Sequence, residues 1–199
     1  MVAILAFYIP TFALMARNSV YQQTIMGRLK AEEPLDDIIH SWAPLWMTEH
    51  WFRRHTDSVV TMAPLLLLAL AYRAAPEKAS LAGWLLHDVG VCSFVLEFGA
   101  LGLYKQVVCF STRLTPATKG DNIRTMCGVP TSSWTDYGIS GHTGMAVLIA
   151  MHLQTPAALL FALGQTALMV LVRDHYTLDV LHAWTFCFAV IGKFDSWVV

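Results

Sequence analysis

Charged residues are scarce in this chain of 199 residues: they make up 14% of it, whereas 56% of the residues are hydrophobic. A soluble domain carries about 25% charged residues, so the composition excludes an ordinary soluble domain and favours the bilayer as the solvent. The formal net charge is only −1. Without a basic field, nucleic acid is not expected as a partner.

The four cysteines contain no Cys-x-x-Cys pair. Two of them, Cys92 and Cys187, lie inside apolar runs, and we interpret all four as packing residues that indicate no redox compartment. Internal repeats, low-complexity tracts and domain linkers are also missing from the sequence. We therefore expect one membrane domain over residues 1–199.

Long apolar runs are what the chain has in abundance. We predict an all-α polytopic membrane protein, a bundle of about six transmembrane helices. A helix needs about 20 apolar residues to cross a hydrocarbon core of ~30 Å, so the segments at 143–154 and 156–173 are short and their ends must lie at or below the membrane surface. This places Gly141 and His142 near head-group depth. The six segments are residues 2–16, 58–75, 81–104, 143–154, 156–173 and 177–192.

The first apolar segment lacks the basic region of a signal peptide, and Pro10 interrupts it. We expect it to be an incomplete first span at a trimmed N-terminus. Polar stretches at 17–57 and 105–140 interrupt the bundle, and with six spans both emerge on the same face as the turn at 173–175. The first stretch carries aromatic residues that we expect to anchor at the interface: Trp42, Trp46, Trp51 and Phe52.

Two motifs place titratable residues on that face. In "SWTDYGISGHTGM", His142 stands at the start of an apolar run, and in "VRDHYTLDVLHAW", His175 and Asp179 are four residues apart. On a helix this spacing puts both on one face, where the carboxylate can accept a proton from an imidazole nitrogen. Because the intervening spans run out and back, the helices after His142 and His175 begin on the same side. We expect His142 to face His175.

Two histidines, an aspartate and cationic side chains at head-group depth suit phosphoryl transfer from a lipid. One imidazole attacks phosphorus, the aspartate stabilises the imidazolium, and the second histidine moves the proton. Helix N-termini direct backbone N–H groups at phosphate oxygens, and lysine or arginine balances the charge. This chemistry requires no metal or other cofactor, and His-x-x-x-Asp supplies only two of the ligands that zinc needs.

Each of these residues also has an ordinary structural interpretation. His142 alone would be an interface residue, and the His175–Asp179 pair alone a structural hydrogen bond. Asp136 either caps or orients the His142 turn or is a solvated loop acid. Glu97 is ionisable and lies inside a predicted span, which suggests a functional role or an internal partner. The same question applies, with weaker support, to two further histidines: His152 and His182.

Four short blocks occur in order between about residues 34 and 185: "PLDDIIH", "LYKQVVCFSTRLTP", "SGHT" and "HYTLDV". Together they resemble the signature blocks of the sphingomyelin synthase branch of the lipid phosphate phosphatase superfamily. That branch includes the plant phosphatidylcholine:diacylglycerol cholinephosphotransferases. The resemblance implies His175 as the nucleophile, Asp179 as its partner and His142 as the acid and base.

The sequence departs from the phosphatase branch of this superfamily, which has a Lys-x6-Arg-Pro block and a proline before Ser-Gly-His. Here Lys105 and Arg113 are one residue too far apart and no proline follows, while Ile139 replaces the other proline. The arginine that precedes the second histidine, Arg173, lies only two residues before it. These differences favour a transferase. The residues expected to bind substrate or phosphate are Lys105, Arg113, Asp136, Ser140, Gly141, Arg173 and Tyr176.

The sequence thus predicts a metal-independent head-group transferase. It would move phosphocholine or a related group from a glycerophospholipid to diacylglycerol or ceramide through a phosphohistidine. A lipid phosphate phosphatase and a non-catalytic membrane scaffold remain the alternatives. The expected partners are lipids and the bilayer, and neither the acceptor lipid nor the oligomeric state can be read from the sequence.

The predicted location is the endoplasmic reticulum or the Golgi. With six spans, ten of the thirteen lysines and arginines lie on the catalytic face, which the positive-inside rule would place in the cytosol. The family resemblance implies a lumenal site. We follow the resemblance, because several of those cations are expected to serve phosphate.

Overall fold

The computed structural model describes residues 2–29, 35–48, 59, 62–63, 66, 69–70, 89–111, 125–126, 129–130 and 138–193. Six helices account for most of this part: α1 (Val2–Leu29), α2 (Ile38–Trp42), α3 (Val89–Ser111), α4 (Gly141–Leu153), α5 (Pro156–Leu171) and α6 (Thr177–Val190). A 3-10 turn over Leu45–Thr48 follows α2. A short antiparallel pair joins β1 (Thr125–Met126) to β2 (Val129–Pro130). The predicted all-α class is confirmed.

Among the described helices, α3 is long and apolar enough to cross a membrane, over the 19 residues Val91–Cys109. The apolar helices α4, α5 and α6 are shorter, with 13, 16 and 14 residues. At a rise of about 1.5 Å per residue they extend roughly 20–24 Å, less than a ~30 Å hydrocarbon core. The span predicted over 58–75 lies mostly outside the described residues, as does the start of the one predicted over 81–104.

The last three helices begin and end within two residues of the predicted segments. For α4 and α5 the sequence carries recognisable start signals. The Ser140 hydroxyl caps α4 by accepting a hydrogen bond from the Thr143 N–H at 3.2 Å. Thr155 caps α5 in the same way, with Pro156 as the first helical residue. Serine or threonine before a helix, and proline at its first position, are standard N-terminal signals.

Helices α1 and α3 extend beyond the predicted apolar segments, so the predicted ends at residues 16 and 104 are wrong. The added turns are stabilised by a buried polar contact between the two helices. Asn18 Nδ2 donates to the Gln106 side-chain oxygen at 3.0 Å and to the Gln106 backbone oxygen at 3.2 Å. Because the amides satisfy each other, these polar residues continue the helices that composition alone would end.

Helix α4 is central and packs against α3, α5 and α6. Its side chains Val147 and Leu148 are fully buried. Close approach to α3 depends on Gly144, because the Leu101 side chain of α3 occupies the space that a Cβ there would need. This packing brings the last turns of α3 beside the start of α4.

Candidate active site

Helices α4 and α6 begin side by side, at the same end of the bundle, as the sequence predicts. The Ser140 N–H donates to the backbone oxygen of Asp179 at 3.0 Å. The Gly138 N–H donates to Asp179 Oδ1 at 2.7 Å. Ser140 and Asp179 have no exposed surface. The turn that precedes His142 is therefore bound directly to the carboxylate that partners His175.

The predicted contact between His175 and Asp179 is present, with 3.0 Å between Nδ1 and Oδ2. It forms by a different route from the one predicted, because His175 lies outside the helix. Tyr176 is the N-cap of α6 and Asp179 its third residue, so the carboxylate reaches back and also accepts the Tyr176 N–H at 3.1 Å. A carboxylate only accepts hydrogen bonds, so we assign the imidazole proton to Nδ1, and Nε2 carries the lone pair.

His142 occupies the first turn of α4 and is half-buried. Its backbone oxygen accepts a hydrogen bond from Gln165 Nε2 of α5 at 2.9 Å. Gln165 is itself buried. A polar residue inside an apolar helix implies an internal partner, so Gln165 is a residue that the sequence could have revealed and that our prediction missed.

Lys105, on α3, reaches the start of α4 with its side chain. Its Nζ lies 3.2 Å from the point that a Cβ would occupy at Gly141, so the glycine allows the ammonium to approach the helix N-terminus. Lys105 and Gly141 thus lie next to Ser140, whose N–H binds the backbone oxygen of Asp179. Such a setting suits an anion, because a helix N-terminus and a lysine both favour negative charge.

Arg173 and Tyr176 are turned toward a different part of the chain, the segment Leu35–Thr48. Arg173 has a left-handed backbone (φ 57°) and its guanidinium donates to the His40 backbone oxygen at 2.9 Å. The Tyr176 hydroxyl accepts the Leu35 N–H at 3.0 Å, and its ring stacks on His40. The other two predicted phosphate-site residues lie outside the described residues: Arg113 and Asp136.

Asp37 and His40 are neighbours of His175 that the sequence prediction missed. The Thr177 N–H donates to Asp37 Oδ2 at 2.6 Å and the Thr177 hydroxyl to Oδ1 at 2.8 Å. His40 Nε2 lies 3.0 Å from the backbone oxygen of His175. Both residues belong to the "PLDDIIH" block, so its similarity to a family signature was the signal that could have found them.

The pKa of Asp37 reflects these contacts. Partial burial of the carboxyl raises its pKa, but the hydrogen bonds from Thr177 and the charge of His40 lower it by more. The net pKa lies below the ordinary value of 3.8. Asp37 is therefore an anion at neutral pH.

Glu97 has an internal partner at the other end of α4. Its Oε2 lies 2.7 Å from His152 Nε2, and its Oε1 accepts the Gly192 N–H at 2.7 Å and the Ser93 hydroxyl at 3.3 Å. The carboxylate is completely buried. Of the two open interpretations of Glu97, an internal partner is the one observed. His182 instead binds near the site, with Nδ1 2.8 Å from the Gly138 oxygen.

A cavity of about 390 Å³ also lies toward the far end of α4. It is lined by apolar side chains of α4, α5 and α6, with Gln154 and Thr155 at the connecting turn. None of the predicted site residues that the structure describes lines it. Across the ranges that the structure describes, no group of three or more histidine, cysteine, aspartate or glutamate side chains could hold a metal ion.

Comparison of the chain with models of known protein families and with curated proteins found no match. The resemblance to the sphingomyelin synthase branch therefore rests on the four short blocks. Three of these blocks contribute residues to the contacts around the His175–Asp179 pair: Asp37 and His40, Ser140 and Gly141, and Asp179 itself. Lys105 comes from the fourth.

Proposed function

We propose that this protein is an integral-membrane enzyme that transfers a phospho-head group, most simply phosphocholine, from a glycerophospholipid to diacylglycerol or ceramide. It would belong to the sphingomyelin synthase branch of the lipid phosphate phosphatase superfamily. The observation that carries the proposal is the placement of the His175–Asp179 pair. Asp179 bonds to the turn before His142, and Lys105 lies at the same helix N-terminus.

In the first half-reaction, His175 Nε2 attacks phosphorus and the bond from phosphorus to the glycerol oxygen breaks. His142, protonated beforehand, gives its proton to the departing oxygen, so that diacylglycerol leaves as a neutral alcohol. The phosphocholine group is then bound to Nε2, and Asp179 stabilises the positive charge on the imidazole through Nδ1. Lys105 and the N–H groups at the start of α4 balance the phosphate charge.

The second half-reaction reverses these roles. His142, now neutral, takes the proton from the hydroxyl of the acceptor lipid, and the acceptor oxygen attacks phosphorus. The phosphorus–nitrogen bond breaks, and its electrons return to His175 Nε2 as the lone pair. Both histidines regain their initial protonation states, so one turnover consumes no proton and requires no co-reactant.

The three candidate functions give different outcomes with phosphatidylcholine labelled in its head group. Incubation of the purified protein with this lipid and with ceramide, or with a diacylglycerol whose acyl chains differ from those of the donor, should give a new labelled lipid. If water takes the place of the acceptor, labelled soluble phosphocholine appears and the enzyme is a hydrolase. If neither product forms with any donor and acceptor in a panel, the protein is a scaffold and the proposal fails.

The proposed enzyme is one domain of six spans with its site on the lumenal side of the endoplasmic reticulum or Golgi membrane. The apolar helix α3 supports membrane association, and the remaining spans rest on the apolar segments of the sequence. A glycosylation acceptor inserted in the 17–57 stretch should be modified in microsomes. An acceptor inserted at 76–80 should not be modified, and the reverse pattern would place the site in the cytosol.

A further inference from the structure

The segment Leu35–Thr48, which we call the strap, is bound to the turn that carries His175 although about 140 residues separate them in sequence. Its hydrogen bonds reach four of the five positions from 173 to 177, through the backbone or side chains of Arg173, His175, Tyr176 and Thr177. A turn held at several neighbouring positions keeps a fixed backbone, which sets the direction in which each side chain leaves it. The strap therefore helps to fix the backbone from which the His175 side chain projects.

His40 supplies the contacts nearest to the nucleophile. It is buried, its Nε2 lies 3.0 Å from the His175 backbone oxygen, and its own backbone oxygen accepts the Arg173 guanidinium. Its ring also stacks on Tyr176, with 5.4 Å between ring centroids. His40 thus contacts residues on both sides of His175 and fixes the peptide from which the imidazole projects.

Asp37 holds the other side of the turn. Its carboxylate caps α2 through the Ile39 N–H at 3.0 Å and accepts both the N–H and the hydroxyl of Thr177, the first residue of α6. The Asp37 carboxylate therefore accepts hydrogen bonds from residues in the first turns of two helices, α2 and α6. Asp179 accepts the N–H of Tyr176, the residue before Thr177. Carboxylates from opposite ends of the chain therefore bind two adjacent amides of the turn.

We propose that Asp37 and His40 are positioning residues that orient the His175 imidazole, acting through the backbone of its turn. Neither is required to touch a substrate. Their loss should therefore lower the rate of the chemical step and leave substrate binding nearly unchanged. This kinetic expectation rests on the proposed transferase function, whereas the orientation of the His175 ring does not.

The kinetic test compares Asp37→Asn with Asp36→Asn in the full-length protein. Asparagine also caps helices well, so Asp37→Asn retains the start of α2 and removes one of the acceptors for Thr177. We expect kcat to fall roughly 10- to 100-fold with KM within about twofold, because a displacement of 1 Å can cost that much in rate. Asp36 is exposed, and its variant should match the wild type.

Two further pairs separate positioning from general destabilisation. His40→Gln retains a side-chain donor and should keep most of the activity, whereas His40→Phe retains the stacking on Tyr176 and loses the donor, and should lower kcat. From the other partner, Thr177→Ser should be active and Thr177→Val impaired. Equal losses within each pair would mean that the strap stabilises the fold only.

The second measurement needs no substrate. In 15N-histidine spectra, His175 of the wild type and of Asp36→Asn should show the tautomer with the proton on Nδ1, and Asp37→Asn should show a mixture of tautomers. If the wild type transfers no head group, the proposed function fails and this comparison alone decides the role of the strap. Unchanged His175 spectra in both Asp37→Asn and His40→Phe would overturn the positioning role.

Discussion

Two histidine–carboxylate pairs, each with a fully buried carboxylate, lie near opposite ends of α4 and differ in the helix ends around them. The His175–Asp179 pair adjoins the starts of α4 and α6, whereas His152 lies in the last turn of α4, where it meets Glu97. Helix N-termini favour anions and C-termini favour cations. The first pair thus lies where an anion is favoured, and the second lies where a cation is favoured.

The pairs differ also in what they connect. His175 and Asp179 are four residues apart, and their contact adds no link between distant helices. Glu97 joins α3 to α4 through His152 and holds the chain after α6 through the Gly192 N–H. We therefore propose that the first pair carries the chemistry and that the second stabilises the bundle.

The largest expected effect comes from removing the negative charge of Asp179. Asp179→Asn keeps the shape but favours the wrong tautomer of His175, and the corresponding change in a serine protease triad lowers kcat about 10⁴-fold. We expect a loss of roughly that size in head-group transfer. Glu97→Gln should keep transfer within about tenfold. A larger loss of transfer in Glu97→Gln than in Asp179→Asn would contradict the proposal that the His175–Asp179 pair carries the chemistry.

The far pair should dominate stability. His152→Ala leaves the fully buried Glu97 carboxylate without its imidazole partner, which should lower the free energy of unfolding by about 3 kcal/mol. Thermal or denaturant unfolding in detergent measures this. His152→Gln offers an amide donor and should recover much of the loss. A His152→Ala protein as stable as the wild type would remove the structural role of this pair.

The sequence was sufficient for the parts of this arrangement that depend on local signals. Ser140, Thr155 and Pro156 mark helix starts, and the spacing of His175 and Asp179 predicts their contact. It was insufficient where partners are far apart in the chain. No local pattern indicates that Asp37 binds Thr177 across 140 residues, or that Asn18 and Gln106 extend two helices by pairing across 88.

Glycine positions test whether α3 must lie close to α4 for the proposed active site to form. Gly144→Ala places a Cβ against Leu101, and overpacking of this kind costs about 1–3 kcal/mol. It should also lower transfer, because it displaces the helix that carries His142. Gly164→Ala is the matched control, since no atom lies within 4 Å of its added Cβ. That variant should gain about 0.5–1 kcal/mol in stability with unchanged transfer.

The smallest expected effect is the release of the strap at low pH. Because the folded pKa of Asp37 lies below the ordinary 3.8, its contribution to strap attachment is fully present above that value and is lost as pH falls through the folded pKa. A spin label at the exposed position Ser41→Cys should stay immobile from pH 7 to about 4 and become mobile only below that. Asp37→Asn should show no such step, and a wild-type step at a pH well above 4 would contradict the role of Asp37.

The phosphoenzyme tests the central claim most directly. Protein incubated with phosphatidylcholine labelled at phosphorus, without added acceptor, should carry an acid-labile label that peptide mapping assigns to His175. His152→Ala should retain this label, and a folded His175→Ala protein should have none. Label on another residue, or undiminished label in folded His175→Ala, would contradict the assignment of His175 as the nucleophile.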